Sequence, residues 1–297
     1  MEIHPMLHRL TAGLLLFGLL AFATVRAADE DKDLVPKQKA NAAEIWKKLE
    51  AKGELVETPN FFVYAAVPAA QAKAIGESLD KHFAVAYKAL RFEDKEKPWQ
   101  GKPGVYVLTE RDEYLNFTRN IEKRSAGEDL GGYDVRSDMP FIVAGVGRTP
   151  DKTTTPGTRA AYWLSQAVLA GKAGKGTALP DWLREGFAWS VAARVNPAAY
   201  AAGRARMRTL VAGTKSVVDV YKGGLSVSGK DADLVGASLA EYLVFSPSFG
   251  PNFGALLSGL KAGENGESPA FESALESAKV SWGDLEKGWR KYVATGR

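Results

Sequence analysis

The chain contains no cysteine, which excludes disulfides, thiolate metal sites, a cysteine nucleophile and a lipid anchor on cysteine. Histidine is nearly as scarce, with only His4, His8 and His82. The first two lie in a stretch built like a secretory signal peptide. His8 and Arg9 precede the apolar run Leu10 to Val25, and Val25-Arg26-Ala27 puts small residues at the −3 and −1 positions of a cleavage site. The run falls short of the ~20 apolar residues that a spanning helix requires. Cleavage before Ala28 is therefore expected. It would release an exported chain, periplasmic or secreted, without a membrane span. That chain keeps a single histidine, His82, too few for a multi-histidine metal site and a poor start for a Ser-His-Asp triad.

An excess of one charge is also lacking. Residues 1–27 hold two arginines and one glutamate, so the rest of the chain has 37 basic and 34 acidic residues. That balance, with no long basic run, argues against nucleic acid as a partner. The densest basic patch, "RARMR" at Arg204 to Arg208, reads as a solvated helix face.

What is present is an ordinary globular composition, 45% hydrophobic and 25% charged, with the length for one large domain or two small ones. Residues 28–41 are charged and read as a flexible lead-in. "AAEIWKKLEAKG" predicts a short helix ended by Gly53. "GELVETPNFFVYAAVP" predicts strands around a turn at Pro59-Asn60. Ile75, Leu79, Phe83, Ala86 and Leu90 then recur at helical spacing, with His82 in a structural role on the same helix. "KPGVYVLTE" predicts a strand, "RDEYLNFTRNIEK" a helix and "MPFIVAGVG" another strand. A Pro- and Thr-rich loop at 147–157 precedes successive helices. The fold class is α+β, one unit with a β-containing lobe at 42–150 and a mostly helical lobe at 158–295.

Two of those helices carry the most specific pattern. The first, from Thr158, holds Tyr162-Trp163-Leu164-Ser165-Gln166 and ends near Gly171. The second holds Leu179-Pro180-Asp181-Trp182-Leu183-Arg184-Glu185-Gly186-Phe187-Ala188, with an apolar face at Leu183, Phe187 and Val191. The glycine-lysine loop between them is not a phosphate loop, because Lys175 precedes Gly176-Thr177 and a helix, not a strand, comes before.

This arrangement, over about residues 40–295, resembles the gluzincin zinc peptidases, and among them the secreted peptidase MA-like group. The resemblance implies a zincin-like, thermolysin-like fold. In that family His-Glu-x-x-His on one helix supplies two zinc ligands and a general base, and a glutamate on the next helix is the third ligand. Here Tyr162 and Gln166 stand at the histidine positions and Trp163 at the base position; only Glu185 keeps the family residue. A phenol and an amide are poor zinc ligands and an indole cannot take a proton from water. The expectation is therefore a catalytically inactive relative, a pseudopeptidase with no metal or other cofactor. Glu185 is expected as a buried carboxylate bonded to Tyr162 or Gln166. Tyr162, Trp163, Gln166 and Glu185 become candidate binding residues in a cleft for a peptide, protein or envelope partner, with "MPFIVAGVG" as the edge strand. A hydrolase using other residues and a purely structural envelope domain are the alternatives.

Overall fold

The computed structural model describes residues 33–126, 130–147, 154–214, 216–222, 225, 227–262 and 269–296. The signal peptide expected at 1–27 lies outside them. Helix α1 spans 33–48, so most of the segment expected to be a flexible lead-in is ordered. Its charged residues face solvent, while Gln38 is buried. The Gln38 amide donates to the Gln100 and Asp138 carbonyls at 3.1 and 2.8 Å and accepts from the Lys102 N–H at 2.7 Å. That side chain, with three backbone partners, anchors the first turns, which were expected to be flexible; from Ala42 onward α1 is the helix expected there. Gly53 lies beyond this helix. A Cβ there would stand 2.0 Å from the Ala65 carbonyl oxygen, so close backbone approach explains the glycine, not helix termination.

Strands β1 (Glu54–Glu57) and β2 (Phe62–Ala65) form the hairpin expected around Pro59-Asn60. Helix α2 (Ala69–Ala89) follows and buries Ile75, Leu79, His82 and Ala86. The His82 Nδ1 lies 2.8 Å from the Ser78 carbonyl, and burial lowers the pKa of the ring, which suits a structural histidine. Strand β3 (Gly104–Val107), helix α3 (Arg111–Asn120), strand β4 (Gly131–Asp134) and strand β5 (Phe141–Ala144) complete the lobe. A reciprocal Glu110–Glu113 capping box starts α3.

The five strands form one mixed sheet in the order β1-β2-β3-β5-β4, parallel through β2, β3 and β5 and antiparallel at both ends. Alternation sorts the side chains into two layers. Phe61, Val63, Val105, Val107 and Ile142 join the core shared with α2 and the helices that follow. Phe62, Tyr64, Tyr106 and Val143 pack with Ile45 of α1 and with Tyr114 and Phe117 of α3.

Seven helices follow: α4 (Pro156–Ala173), α5 (Asp181–Val195), α6 (Ala201–Gly213), α7 (Val217–Lys222), α8 (Lys230–Phe245), α9 (Phe253–Gly259) and α10 (Phe271–Ser277). An eighth, α11 (Trp282–Thr295), is the last element described. Thr155 caps α4 by accepting the Thr158 N–H at 3.1 Å, and Pro156 occupies the first turn. Helix α8 is buried almost all round from Val235 to Val244, as a helix at the centre of a bundle should be. It packs closely on α5. A Cβ at Gly186 would meet the Ala237 Cα and the Ala240 Cβ, both at 2.8 Å. The observed fold is therefore mixed α and β, with the sheet N-terminal and the helices C-terminal. Among the described residues, no helix is long and apolar enough to cross a membrane.

Candidate functional site

β5 is not an edge strand. β3 lies on one side of it and β4 on the other, so the free edges of the sheet belong to β1 and β4. Four residues beginning Gly-Gly carry almost no strand signal, which is why "GGYD" at 131–134 escapes sequence reading. β1 ends the sheet with Glu54 and Glu57, the latter paired to Lys39 and Lys102 at 2.6 and 3.0 Å; charge guards that edge. β4 is different.

The Gly145 N–H donates to the Leu130 carbonyl at 2.9 Å, which sets the phase of the β4–β5 ladder. Bonded and non-bonded pairs alternate in an antiparallel ladder, so Gly132 and Asp134 turn their backbone groups toward β5. Gly131 and Tyr133 turn theirs outward. The outward carbonyl of Gly131 accepts from the Tyr114 hydroxyl at 3.3 Å. Tyr133 is left as the outward-facing backbone pair of the strand.

A groove of about 380 Å³ lies beside this edge. Its lining includes Tyr133 and Asp134 of β4, Val135 and Arg136 just after it, Ala170 of α4, Leu179 just before α5 and Arg184 of α5. Tyr133 and Asp134 belong to β4, while Val135 and Arg136 continue past its end, so the groove lies beside the C-terminal end of this edge strand. Arg184 crosses the groove from α5, where it pairs with Asp181, and also bonds to Tyr133.

The sequence-derived candidates sit behind and beside this groove. Trp163 is half-buried and wedged from α4 onto β4; a Cβ at Gly131 would lie 2.1 Å from its Nε1, and its ring is 6.3 Å from that of Tyr133. Tyr162 is half-buried on the same helix and donates its hydroxyl to the Glu185 carbonyl at 3.1 Å. Gln166 is only 2% exposed. Glu185 departs from expectation. Its side chain is exposed, and Tyr162 bonds to its backbone and not to its carboxylate. The reason is the helix phase: Leu183, Gly186 and Phe187 take the buried face of α5 and turn Glu185 to the rim. Partial burial of the carboxyl, then Asp233 and Asp181, push its pKa up against the opposing pull of Arg184. Burial, followed by Glu185 and Asp233, likewise raises Tyr162, which stays a neutral donor.

Sequence reasoning missed Tyr133, Arg136 and Leu179 as groove residues because the edge strand itself was missed. Among the described residues, no three histidine or acidic side chains gather as a metal-binding group. Set against known protein families, curated proteins and solved structures, the chain matches none of them.

Proposed function

We propose that this chain is an exported pseudopeptidase that holds an extended polypeptide along β4 without cleaving it. The observation that carries the reading is the groove at the end of β4, an edge strand of the sheet, lined by Tyr133 to Arg136 together with Leu179 and Arg184. An extended peptide would add as a further strand. Tyr133 would supply main-chain hydrogen bonds, and the groove would take alternate side chains. Arg136 is exposed, and Arg136 and Arg184 against Asp134 leave the groove lining one positive charge in excess, so an acidic side chain in the bound segment is favoured. The histidine and base positions of the resembled family hold Tyr162, Gln166 and Trp163, none of which polarises a carbonyl or activates water.

The test is selection of random peptides of about ten residues displayed on phage, followed by fluorescence anisotropy on the enriched sequences. Tyr133→Pro removes the outward N–H while leaving the bonds to β5 in place, and proline is tolerated on an edge. Tyr133→Ala controls for the lost side chain, and circular dichroism confirms folding of both. Strand addition requires the proline variant to bind at least about tenfold more weakly than the alanine variant. No enrichment over unfolded protein, or equal affinities for the two variants, would end the proposal.

A further inference from the structure

The basic cluster at Arg204 to Arg208 is not the uniform solvated face that its sequence implies. Helix α6 divides it. Arg206 points to solvent and is held by Asp231, with its Nε and Nη2 at 3.2 and 2.6 Å from the two carboxylate oxygens. Arg204 and Arg208, one helical turn apart, share a different face and line a cavity of about 270 Å³. Arg194 from the last turn of α5, Glu241 of α8 and Tyr292 of α11 complete its polar wall, and Met207 and Val293 supply an apolar one.

The wall is built and ordered by internal contacts. Glu241 is 4% exposed, and one of its oxygens forms ion pairs with Arg194 at 2.8 Å and Arg204 at 3.1 Å. The Arg194 guanidinium stacks 3.5 Å over the Phe245 ring, and it bonds the Ser190 carbonyl at 3.2 Å and the Tyr292 hydroxyl at 3.3 Å. This fixes the fork before any ligand arrives. Two features are left over. The Nε of Arg204 is shielded from water and has no hydrogen-bond partner, and Arg208 makes no ion pair among the described residues. Three guanidinium groups against one carboxylate leave the cavity two positive charges in excess.

The geometry points to a binding site for a phosphate monoester. A dianion matches the excess charge, and its three terminal oxygens can accept the paired hydrogen bonds that planar guanidinium forks donate. Met207 and Val293 would cover the group esterified to the phosphate. Arg194 lies ten residues from Arg184, about 15 Å along α5, so this site is separate from the groove beside β4. It stands whether or not that groove binds peptide.

The test is isothermal titration calorimetry of the full protein at low salt with phenyl phosphate, inorganic phosphate and, as the monoanionic control, benzoate. Phenyl phosphate should bind best, and benzoate at least about tenfold more weakly. Arg208→Gln changes an exposed side chain without disturbing the buried pairs, and it should cost about tenfold in phenyl phosphate affinity and flatten the salt dependence. Arg206→Gln, on the solvent face, should change neither. Sedimentation with phosphatidic acid vesicles identifies the source. Pelleting that Arg208→Gln abolishes assigns a lipid headgroup, and no pelleting with phenyl phosphate bound assigns a soluble ester. Absence of phenyl phosphate binding, or binding unaffected by Arg208→Gln, would overturn the site.

Discussion

The hydroxyl of Tyr162 donates to the backbone carbonyl of Glu185 at 3.1 Å and leaves the carboxylate of that residue facing solvent. On the reading proposed above, those two positions stand where the resembled peptidases hold a zinc histidine and the third zinc ligand. The contact shows that α4 and α5 bring the two positions together, and that the carboxylate takes no part in joining the helices. The correspondence can be tested by putting ligands back. Tyr162→His with Gln166→His places two imidazoles four residues apart on α4, one of them at the position that contacts the Glu185 backbone; the Glu185 carboxylate would have to turn in from solvent to complete the set. The double variant, dialysed against zinc and assayed by elemental analysis, should hold about one equivalent, and the parent less than about a tenth. Adding Glu185→Ala to the double variant should lower its zinc affinity. A folded double variant that takes up no zinc would show that the positions do not correspond, and the pseudopeptidase reading would lose its basis.

Glu185 also makes a pH prediction. Its folded pKa is raised above the ordinary 4.5 by partial burial first, then by Asp233 and Asp181. The folded state thus binds this proton more tightly than the unfolded state. Stability is least affected below the unfolded value and falls as pH rises through the folded one, after which it levels off. Glu185→Gln removes that loss. Its melting temperature should match the parent at about pH 3.5 and exceed it at about pH 7. Because the side chain is exposed, screening keeps the gap small, and raising the salt should shrink it further. A variant less stable than the parent at neutral pH would mean that the carboxylate has a stabilising partner.

How much of this was legible in the sequence follows from how each element is stabilised. Helix α2 announced itself because Ile75, Leu79, Ala86 and Leu90 must share a buried face, and β2 and β3 did so because both of their faces are covered. The helix pair around Tyr162 and Glu185 was readable for the same reason. β4 was not: Gly131 is there because Trp163 leaves no room for a side chain, a constraint imposed by a residue far along the chain. Missing β4 assigned its edge to β5, where Gly145 in fact bonds back to Leu130. The first turns of α1 were hidden because Gln38, and not an apolar stripe, fixes them, whereas the helix from Ala42 onward was legible through Ile45 and Leu49. The composition of "RARMR" likewise could not show that Glu241 holds Arg204, because that pairing depends on α6 packing against α8.

Gly186 separates a packing role from a catalytic one. It follows Glu185 in the phrase that carries the family resemblance, yet its neighbours are backbone and methyl groups of α8, with the Gly236 carbonyl at 3.0 Å as well. Alanine there should gain up to about 1 kcal/mol in helix propensity, but it forces a Cβ into atoms that cannot rotate away. Overpacking of this kind costs about 1–3 kcal/mol, so the net effect should be a loss of about 1 kcal/mol. That corresponds to a fall in melting temperature of about 2–4 °C for a chain of this size. Gly213, at the end of α6, has nothing within 4 Å of an added Cβ. Its change to alanine should therefore be neutral or raise the melting temperature, because only the unfolded chain loses freedom. Opposite signs for the two glycines place the constraint at position 186 in the α5–α8 contact. A loss of equal size at both would move it to the backbone itself.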